Sequence, residues 1–422
     1  MQTRYLILAT AGALLAACGP KTPPAPPAPT TTTVLIGVAG PLTGPIAHQG
    51  KDDENGVALA IDQANAKHLV IGGAPVVFRM MSEDDQGDPK VGTTVAQKLV
   101  DAHVAAVIGH LNSGVTIPAS EIYNKAGIPV ITGSATSPEL TERGMNGVFR
   151  TIGRDDQQGP AIAAYIAKEL KAKRVAIVDD KTAYGEGLAT EVEKALHDAG
   201  VTVVGRERTT DKETDFKAIL TRIKSKSPDA VFHGGMDATG GLLLKQAREL
   251  GLRSTFAFGD GACTDEMTQL SGAAGEGLVC SQAGLPTASA TKEFRDAFAA
   301  KYGETKLYAP FFYDATNVVI DSMIRADSTD PPRFAPEIAR TQLKGATGLI
   351  TFDSKGDRRD AEMTIFRMKD GKIVPVMVYR QGTLTPFGEQ PAAPPAAPAP
   401  APAPVVKPVP KPPSTSKDKR DY

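Results

Sequence analysis

The sequence predicts an α/β protein with two lobes, each a mostly parallel sheet flanked by helices. Strand and helix patterns alternate along residues 34–150, and the alternation restarts after Arg150. Short apolar runs such as Val104–Ile108 are typical of buried parallel strands. About 350 residues remain without the expected leader and tail, which is more than one hydrophobic core usually organises. We therefore expect two units of the same kind.

The chain begins with an expected signal peptide and linker. Residues 1–17 combine Arg4, an apolar stretch and a small-residue cleavage site next to Cys18. The apolar stretch is too short to span a membrane, which favours a secretory signal peptide. The Cys at the boundary favours a lipobox, so that acylated Cys18 would anchor the protein to the inner or outer bacterial membrane. An ordinary signal peptide with a chance Cys is the alternative. Residues 18–33, rich in Pro and Thr, predict an extended spacer.

The first unit alternates strands and helices in chain order. The predicted strands are Val34–Val38, Val76–Met80, Val104–Ile108 and Ile128–Ile131, and the predicted helices are Lys51–Ala66, Val91–Ala102 and Ile117–Lys125. The first loop, Ala39–Gly50, contains no GxGxxG, so a dinucleotide site is not indicated. Asp84 and Asp85 stand in an acidic turn, where adjacent carboxylates usually cap and are solvated rather than catalyse reactions.

Two hydroxyl-rich loops, His110–Thr116 and Thr132–Ser137, follow successive strands of this unit. Ligands of open parallel sheets bind at the carboxyl ends of the strands, and helix N-termini attract anions. The hydroxyl residues Ser113, Thr116, Ser134 and Thr136 are therefore candidates to hold a small carboxylate. The alternative is that they are ordinary turn formers and helix caps.

The second unit repeats the alternation and is followed by segments that return to the first. Its predicted strands are Val175–Val178, Val201–Val204, Ala230–His233 and Phe256–Phe258, and its predicted helices are Gln157–Lys171, Gly187–Ala199, Phe216–Ser225 and Ala238–Leu250. Leu278–Ser281 and Gly345–Phe352 are expected to cross between lobes, and Ala290–Tyr302 and Pro310–Ala326 to be helices of the first lobe. Met363–Lys369 and Ile373–Tyr379 predict a hairpin through Asp370-Gly371. The tail 389–422, rich in Pro, Ala and then Lys, predicts a disordered spacer.

Composition excludes several classes of function. The formal net charge of −1 argues against a general nucleic-acid surface. The six histidines form no HExxH and no Cys/His cluster, so we expect no metal and no cofactor. No GxSxG and no evident Cys–His pair are present, and we expect no enzyme activity. Beyond Cys18, Cys263 and Cys280 suggest one disulfide in an oxidising periplasm, with two buried free thiols as the alternative.

Four segments resemble the leucine/isoleucine/valine-binding proteins of bacterial ABC importers: IGHLNSGVTIPASEIY, ITGSATSPELTERG, RTIGRDDQQGPAIAAYI and VAIVDDKTAYGEGLA. The resemblance extends from about Val34 to about Phe387. It implies the two-lobed type I periplasmic-binding-protein fold with three hinge crossings. The implied lobes are 34–152 with 283–347 and 153–282 with 348–388.

The resemblance also implies a free α-amino acid bound between the lobes. Ser113 and Thr136, with backbone groups of Asn112, Ser134 and Ala135, match positions that hold its carboxylate and ammonium. Asp260 matches a Glu that pairs with the ammonium, and Tyr184 matches a tyrosine lining the cleft. Two further family tyrosines are replaced by Gln49 and Met236, which predicts a wider specificity than aliphatic side chains alone.

The implied function is that of a monomeric periplasmic lipoprotein that binds an amino acid or similar small zwitterion. By the same resemblance it would deliver this ligand, without turnover, to an ABC permease in the inner membrane. A ligand-sensing receptor on the same fold, signalling to a membrane partner, is the alternative.

Overall fold

The computed structural model describes residues 30–389 of the 422-residue chain. The predicted signal peptide, the predicted lipid site Cys18, most of the linker and nearly all of the tail lie outside the described residues. Within residues 30–389, no helix is long and apolar enough to cross a membrane.

Strands and helices alternate through most of the described chain. In order, the strands are β1 (Thr32–Gly40), β2 (Val70–Ile71), β3 (Ala74–Asp84), β4 (Ala106–Gly109), β5 (Val130–Thr132), β6 (Val148–Arg150), β7 (Arg174–Asp179), β8 (Thr202–Arg208), β9 (Ala230–Gly234), β10 (Thr255–Phe258), β11 (Val279–Gln282), β12 (Leu343–Gly345), β13 (Gly348–Ile350), β14 (Met363–Lys369), β15 (Lys372–Arg380) and β16 (Thr383–Pro386). The helices are α1 (Ala47–Ala66), α2 (Pro89–Asp101), α3 (Ser113–Ala126), α4 (Glu139–Glu142), α5 (Asp155–Lys168), α6 (Ala183–Asp198), α7 (Lys217–Ser225), α8 (Asp237–Glu249), α9 (Asp265–Ser271), α10 (Lys292–Tyr302), α11 (Ala309–Ala326) and α12 (Pro331–Ile338).

The first lobe contains a six-stranded sheet in the order β2-β3-β1-β4-β5-β6. All neighbours in it are parallel except the short edge strand β2, which is antiparallel to β3. Central strand β4 is buried along its whole length, as expected for a strand covered by helices on both faces. Helices α1 and α11 pack against each other, so a segment far along the chain completes this lobe.

The second lobe contains an eight-stranded sheet in the order β16-β15-β14-β11-β10-β9-β7-β8. Strands β8, β7, β9, β10 and β11 are parallel, and β14, β15 and β16 add an antiparallel edge. Helices α5 and α6 pack together, and α5 also contacts β14. The prediction of two mostly parallel α/β units is confirmed.

Several helices begin earlier than predicted, and α1 and α3 are the two that bear on the site. Helix α1 starts at Ala47 rather than Lys51, which puts His48 and Gln49 in its first turn. Helix α3 starts at Ser113 with Asn112 as N-cap, so residues predicted as loop form its first turn and Pro118 lies in its interior. In both cases the first turn consists of small or polar residues, which lack the apolar periodicity that predicts a helix.

The prediction that Asp84 and Asp85 both cap neighbouring residues and are solvated is wrong for Asp85. Strand β3 extends to Asp84, whose carboxylate accepts hydrogen bonds from the N–H of Leu42 and of Gln86 and so caps its neighbours. Asp85, however, is fully buried rather than solvated, and its Oδ2 lies 2.6 Å from Nδ1 of His110. A buried aspartate of this kind requires a partner, and His110 comes from a different strand end.

The later segments differ from the prediction in detail. Leu278–Ser281 was predicted as a crossing, but Val279–Gln282 is strand β11 inside the second sheet. The expected crossing Gly345–Phe352 is largely the two-stranded ribbon of β12 and β13. The hairpin of β14 and β15 is confirmed, because Asp370 and Gly371 both have positive φ, as its turn requires.

Candidate functional site

Side chains from both lobes meet around the turn Asp260–Ala262, which follows β10. Gln49 Nε2, from the first lobe, donates to the carbonyl oxygen of Gly261 at 3.1 Å. The hydroxyl of Tyr184 accepts from the N–H of Gly261 at 3.0 Å. A Cβ on Gly261 would lie 2.6 Å from Sδ of Met236, so a larger residue at this position would displace the Met236 side chain. The structure thus brings these predicted site residues together.

The carboxylate of Asp260 is fully buried and held by three donors from different elements. Tyr184 donates its hydroxyl to Oδ1 at 2.8 Å, and Gln158 Nε2 donates to the same oxygen at 3.0 Å. Tyr308, which immediately precedes α11 of the first lobe, donates its hydroxyl to Oδ2 at 2.7 Å. Since an ionised carboxylate has about four acceptor positions, Asp260 can accept one further donor, such as an ammonium.

A second buried carboxylate, Asp155, lies beside the first. Gln158 Nε2 bridges the two, because it also donates to Oδ1 of Asp155 at 3.2 Å. The backbone N–H of Asp155 donates to the carbonyl oxygen of Thr136 at 3.0 Å. A chain of contacts therefore leads from Thr136 in the first lobe through Asp155 and Gln158 to Asp260.

Burial raises the pKa values of these carboxyl groups. It raises the pKa of Asp260, against the lowering effect of the bonds from Tyr308, Tyr184 and Gln158. Burial raises the pKa of Asp155 well above its ordinary value, and the charge of Asp260 adds to this rise. Both sites therefore favour an added positive charge, which would compensate the carboxylates in a region with little water.

A second group of contacts joins the lobes at the first turn of α1. His48 Nε2 lies 2.8 Å from Oδ2 of Asp237, the first residue of α8, and Gln49 Nε2 donates to the same oxygen at 3.1 Å. Thr264 donates its hydroxyl to it at 2.5 Å. Asp237 is fully buried. These contacts, with those of Tyr308, join residues of the two lobes.

The hydroxyl-rich loops of the first lobe make most of their contacts among themselves. The N–H groups of Ser134 and Ala135 donate to Thr132 Oγ1 at 3.2 and 3.0 Å. Ser134 donates its own hydroxyl to the carbonyl oxygen of Leu111, and Ser113 Oγ accepts from the N–H of Ser137. These bonds place the two loops side by side at the carboxyl ends of β4 and β5.

Asn112 and Thr136 each carry a buried side-chain oxygen, Oδ1 and Oγ1, without a hydrogen-bond partner among residues 30–389. The carbonyl oxygen of Asn112 accepts from the N–H of Thr116 at 2.9 Å, as expected of an N-cap residue. The side-chain oxygen Oδ1 of Asn112 lies near Gly87.

A fully buried arginine, Arg150 at the end of β6, supports the second loop. Its guanidinium donates to the carbonyl oxygens of Ala135 at 2.7 Å and Ser137 at 2.9 Å, and to Oδ1 of Asp357 at 2.6 Å. Asp357 follows the β12–β13 ribbon, so the ion pair of Arg150 and Asp357 also links this later segment of the chain to β6.

The two remaining cysteines form a disulfide. Cys263, directly after the turn that carries Asp260, is bonded to Cys280 of β11, with 5.4 Å between the Cα atoms. The prediction of a disulfide is confirmed, and the free-thiol alternative is not. The bond fastens one end of the turn to the second sheet.

Several site residues were missed in the sequence, namely His48, Asp155, Gln158, Asp237 and Tyr308. Their partners are distant in the chain, and no local spacing marks them. Tyr308 stands in an aromatic run, Leu307–Tyr313, that indicates a buried helix start rather than a polar contact. Within residues 30–389, no group of three or more His, Cys, Asp or Glu side chains could hold a metal ion.

Comparison with known proteins agrees with this architecture. The profile of the periplasmic binding protein family matches residues 33–372. The leucine-, isoleucine-, valine-, threonine- and alanine-binding protein of Pseudomonas aeruginosa is 37% identical over 339 residues, which cover 79% of this chain and 89% of that protein.

Two solved structures show the same fold. A leucine-binding protein LivK from Thermotoga maritima has a TM-score of 0.76 and 28% identity, over 82% of this chain and 99% of that one. The substrate-binding protein LivJ from Streptococcus pneumoniae, solved with isoleucine, has a TM-score of 0.73 and 28% identity, over 81% and 98%. The family consists of periplasmic solute-binding proteins and not of enzymes. From its fold and the extent of these matches, the chain belongs to the periplasmic binding protein family, with the two-lobed type I architecture.

Proposed function

We propose that this protein is the substrate-binding component of an ABC importer and binds a free amino acid, or a similar small zwitterion, between its lobes. The observation that carries the proposal is the environment of Asp260, which accepts hydrogen bonds from Tyr184 of one lobe and Tyr308 of the other. A carboxylate at the junction of two lobes offers a charged partner to an ammonium after water is expelled. Relatives named for amino-acid binding support the same class of ligand.

The ligand carboxylate would lie against the loops after β4 and β5. Ser113, Thr136 and the backbone of Asn112, Ser134 and Ala135 are the groups proposed to hold it. The side chain of the ligand would lie toward Gln49 and Met236, beside Tyr184. Binding would close the lobes about the three crossings, and the closed form would dock on the permease.

The N-terminal anchor is part of the proposal. Acylated Cys18 and the Pro/Thr spacer would tether the monomeric domain to a bacterial membrane while leaving the cleft accessible. The alternative, a sensor on the same fold, is not favoured by the relatives, which are named as binding or transporter proteins.

A thermal-shift screen over the amino acids and related metabolites tests the function. A ligand that binds the folded protein raises its melting temperature by mass action. We expect stabilisation by at least one amino acid and by more than leucine, isoleucine and valine. No stabilisation by any amino acid would contradict the proposed function, whereas stabilisation by those three alone would contradict the wider specificity.

A further inference from the structure

Two side chains on the inner face of α1 present acceptor atoms without donors. Gln49 and Asp53 are one helical turn apart and therefore lie on the same face of α1. Gln49 Oε1 and both carboxylate oxygens of Asp53 have no hydrogen-bond partner among residues 30–389. Both residues are buried, with 0% and 2% of their surface exposed.

The orientation of the Gln49 amide follows from its contacts. Its nitrogen lies 3.1 Å from two acceptors, Oδ2 of Asp237 and the carbonyl oxygen of Gly261. Because both partners can only accept, the amide nitrogen must be the atom that faces them. The free atom of the amide is consequently an oxygen, which requires a donor.

Asp53 lies near Tyr308, one of the residues that hold Asp260. Its charge acts on the hydroxyl of Tyr308, the same hydroxyl that donates to Asp260 at 2.7 Å. Gln49, one turn before it, contacts Gly261, the residue after Asp260. The unpartnered acceptors of α1 therefore adjoin the site that we assign to the ligand ammonium.

Among the described residues, the charges that act on Asp53 are those of acids and include no cation. The acids are Asp52 and Asp85, which are close enough for their charges to act on it. Burial, together with these neighbouring charges, raises the pKa of Asp53 well above its ordinary value, so a cation bound beside it is what would stabilise its ionised form.

A neutral amino acid brings one ammonium, with three N–H donors, to more acceptors than it can satisfy: Gln49 Oε1, both carboxylate oxygens of Asp53 and Asp155 Oδ2 all have no partner among residues 30–389. The ammonium of such a ligand can be received at the remaining acceptor position of Asp260, and its aliphatic side chain has no N–H to offer Gln49 or Asp53. An ammonium or guanidinium at the far end of the ligand side chain would satisfy both.

Resting on the proposed function, we propose that the cleft selects an amino acid with a second cationic group on its side chain. Gln49 and Asp53 receive that group, and Asp53 is the residue that determines specificity.

Isothermal titration calorimetry of the full chain with L-lysine and L-norleucine tests this directly. The two ligands have the same carbon chain and differ in the terminal ammonium. We expect lysine, or its shorter homologue ornithine, to bind at least tenfold more tightly than norleucine. Equal or tighter binding of norleucine would overturn the inference while leaving the proposed function intact. Failure of every amino acid to bind would instead contradict the proposed function.

The variant Asp53→Asn assigns the effect to one residue. It keeps the shape of the side chain but removes the charge, so the preference for lysine over norleucine should fall at least tenfold. An unchanged preference would exclude Asp53 as the determinant. Asp101→Asn, at an exposed position of α2, is the matched control and should keep the preference. Circular dichroism and thermal unfolding check that each variant folds, and the comparison of ligands on the unmodified protein decides the inference if Asp53→Asn does not.

Discussion

Nε2 of His48 and Oδ2 of Asp237 lie 2.8 Å apart, although 189 positions separate the two residues in the chain. His48 belongs to the first lobe and Asp237 to the second, so their contact joins the two lobes. Burial opposes the charged form of His48, but the hydrogen bond and charge of Asp237, with Glu266 nearby and against Lys306, raise the pKa of His48 overall.

We expect closure, and with it ligand affinity, to weaken as the pH rises. Because the pKa of His48 is raised above its ordinary value of 6.5, its charged attraction to Asp237 is fully present below that pH. The attraction is lost as the pH passes through the raised pKa. Calorimetry with the tightest-binding amino acid at about pH 6 and about pH 8.5 should detect the difference. The glutamine of the variant His48→Gln cannot titrate, so the pH dependence of ligand affinity should disappear in it. A pH dependence that persists in this variant would arise from another group.

Replacing Asp260 should affect both binding and stability. Asp260→Ala should weaken amino-acid binding by more than about tenfold, because the ligand ammonium loses its charged partner. The same change leaves the hydroxyls of Tyr184 and Tyr308 buried without an acceptor, so the ligand-free protein should melt at a lower temperature. Calorimetry and thermal unfolding measure the two effects separately. If Asp260→Ala bound the amino acid with unchanged affinity, Asp260 would not be a ligand-binding residue.

The buried pair of Arg150 and Asp357 should be important for stability. Arg150→Ala removes one of the two arginines that pair with buried Asp357, which keeps Arg154 and Thr141 as donors. It also leaves the carbonyl groups of Ala135 and Ser137 without this donor, and we expect a loss of about 2–3 kcal/mol in the free energy of unfolding. Urea denaturation measures it. Arg222→Ala is the control, because Arg222 forms an exposed pair with Glu207 and should change stability little. Equal effects of the two substitutions would show that burial does not matter here.

The disulfide should stabilise the second lobe. Cys263 and Cys280 are 17 positions apart. A disulfide that closes a loop of this size adds about 3 kcal/mol to the free energy of unfolding, because it restricts the unfolded chain. The double variant Cys263→Ser, Cys280→Ser should therefore melt earlier than the oxidised protein. Reductant should lower the melting temperature of the native protein and leave that of the variant unchanged. If reductant left the melting temperature of the native protein unchanged, the prediction would be wrong.

The central strands of the two sheets were predictable, because they are buried on both faces. Short apolar runs in the sequence mark strands such as Ala106–Gly109 and Arg174–Asp179. Such a run predicts a buried strand without knowledge of the neighbouring strands with which it pairs. Helix starts were less predictable. Asn112 and Thr182 cap α3 and α6 from polar, glycine-containing loops, and the first turn of each helix was consequently assigned to the loop.

The site was predictable only in part, for a different physical reason. The resemblance pointed to Asp260, Tyr184 and Gln49, which the structure brings together. It did not indicate that Tyr308 would donate to Asp260 from the other lobe, or that His48 would meet Asp237. Such contacts depend on how two separately folded halves approach each other, and no periodicity within either half encodes that.

The described chain enters the first lobe through β1, which starts at Thr32, and leaves the second through β16, which ends at Pro386. Its two ends thus belong to different halves of the molecule. Any rotation of one half against the other alters the spacing between these ends. A fluorescent donor on one end and an acceptor on the other would therefore turn the protein into an optical reporter of solute concentration, with the recognition surface left untouched.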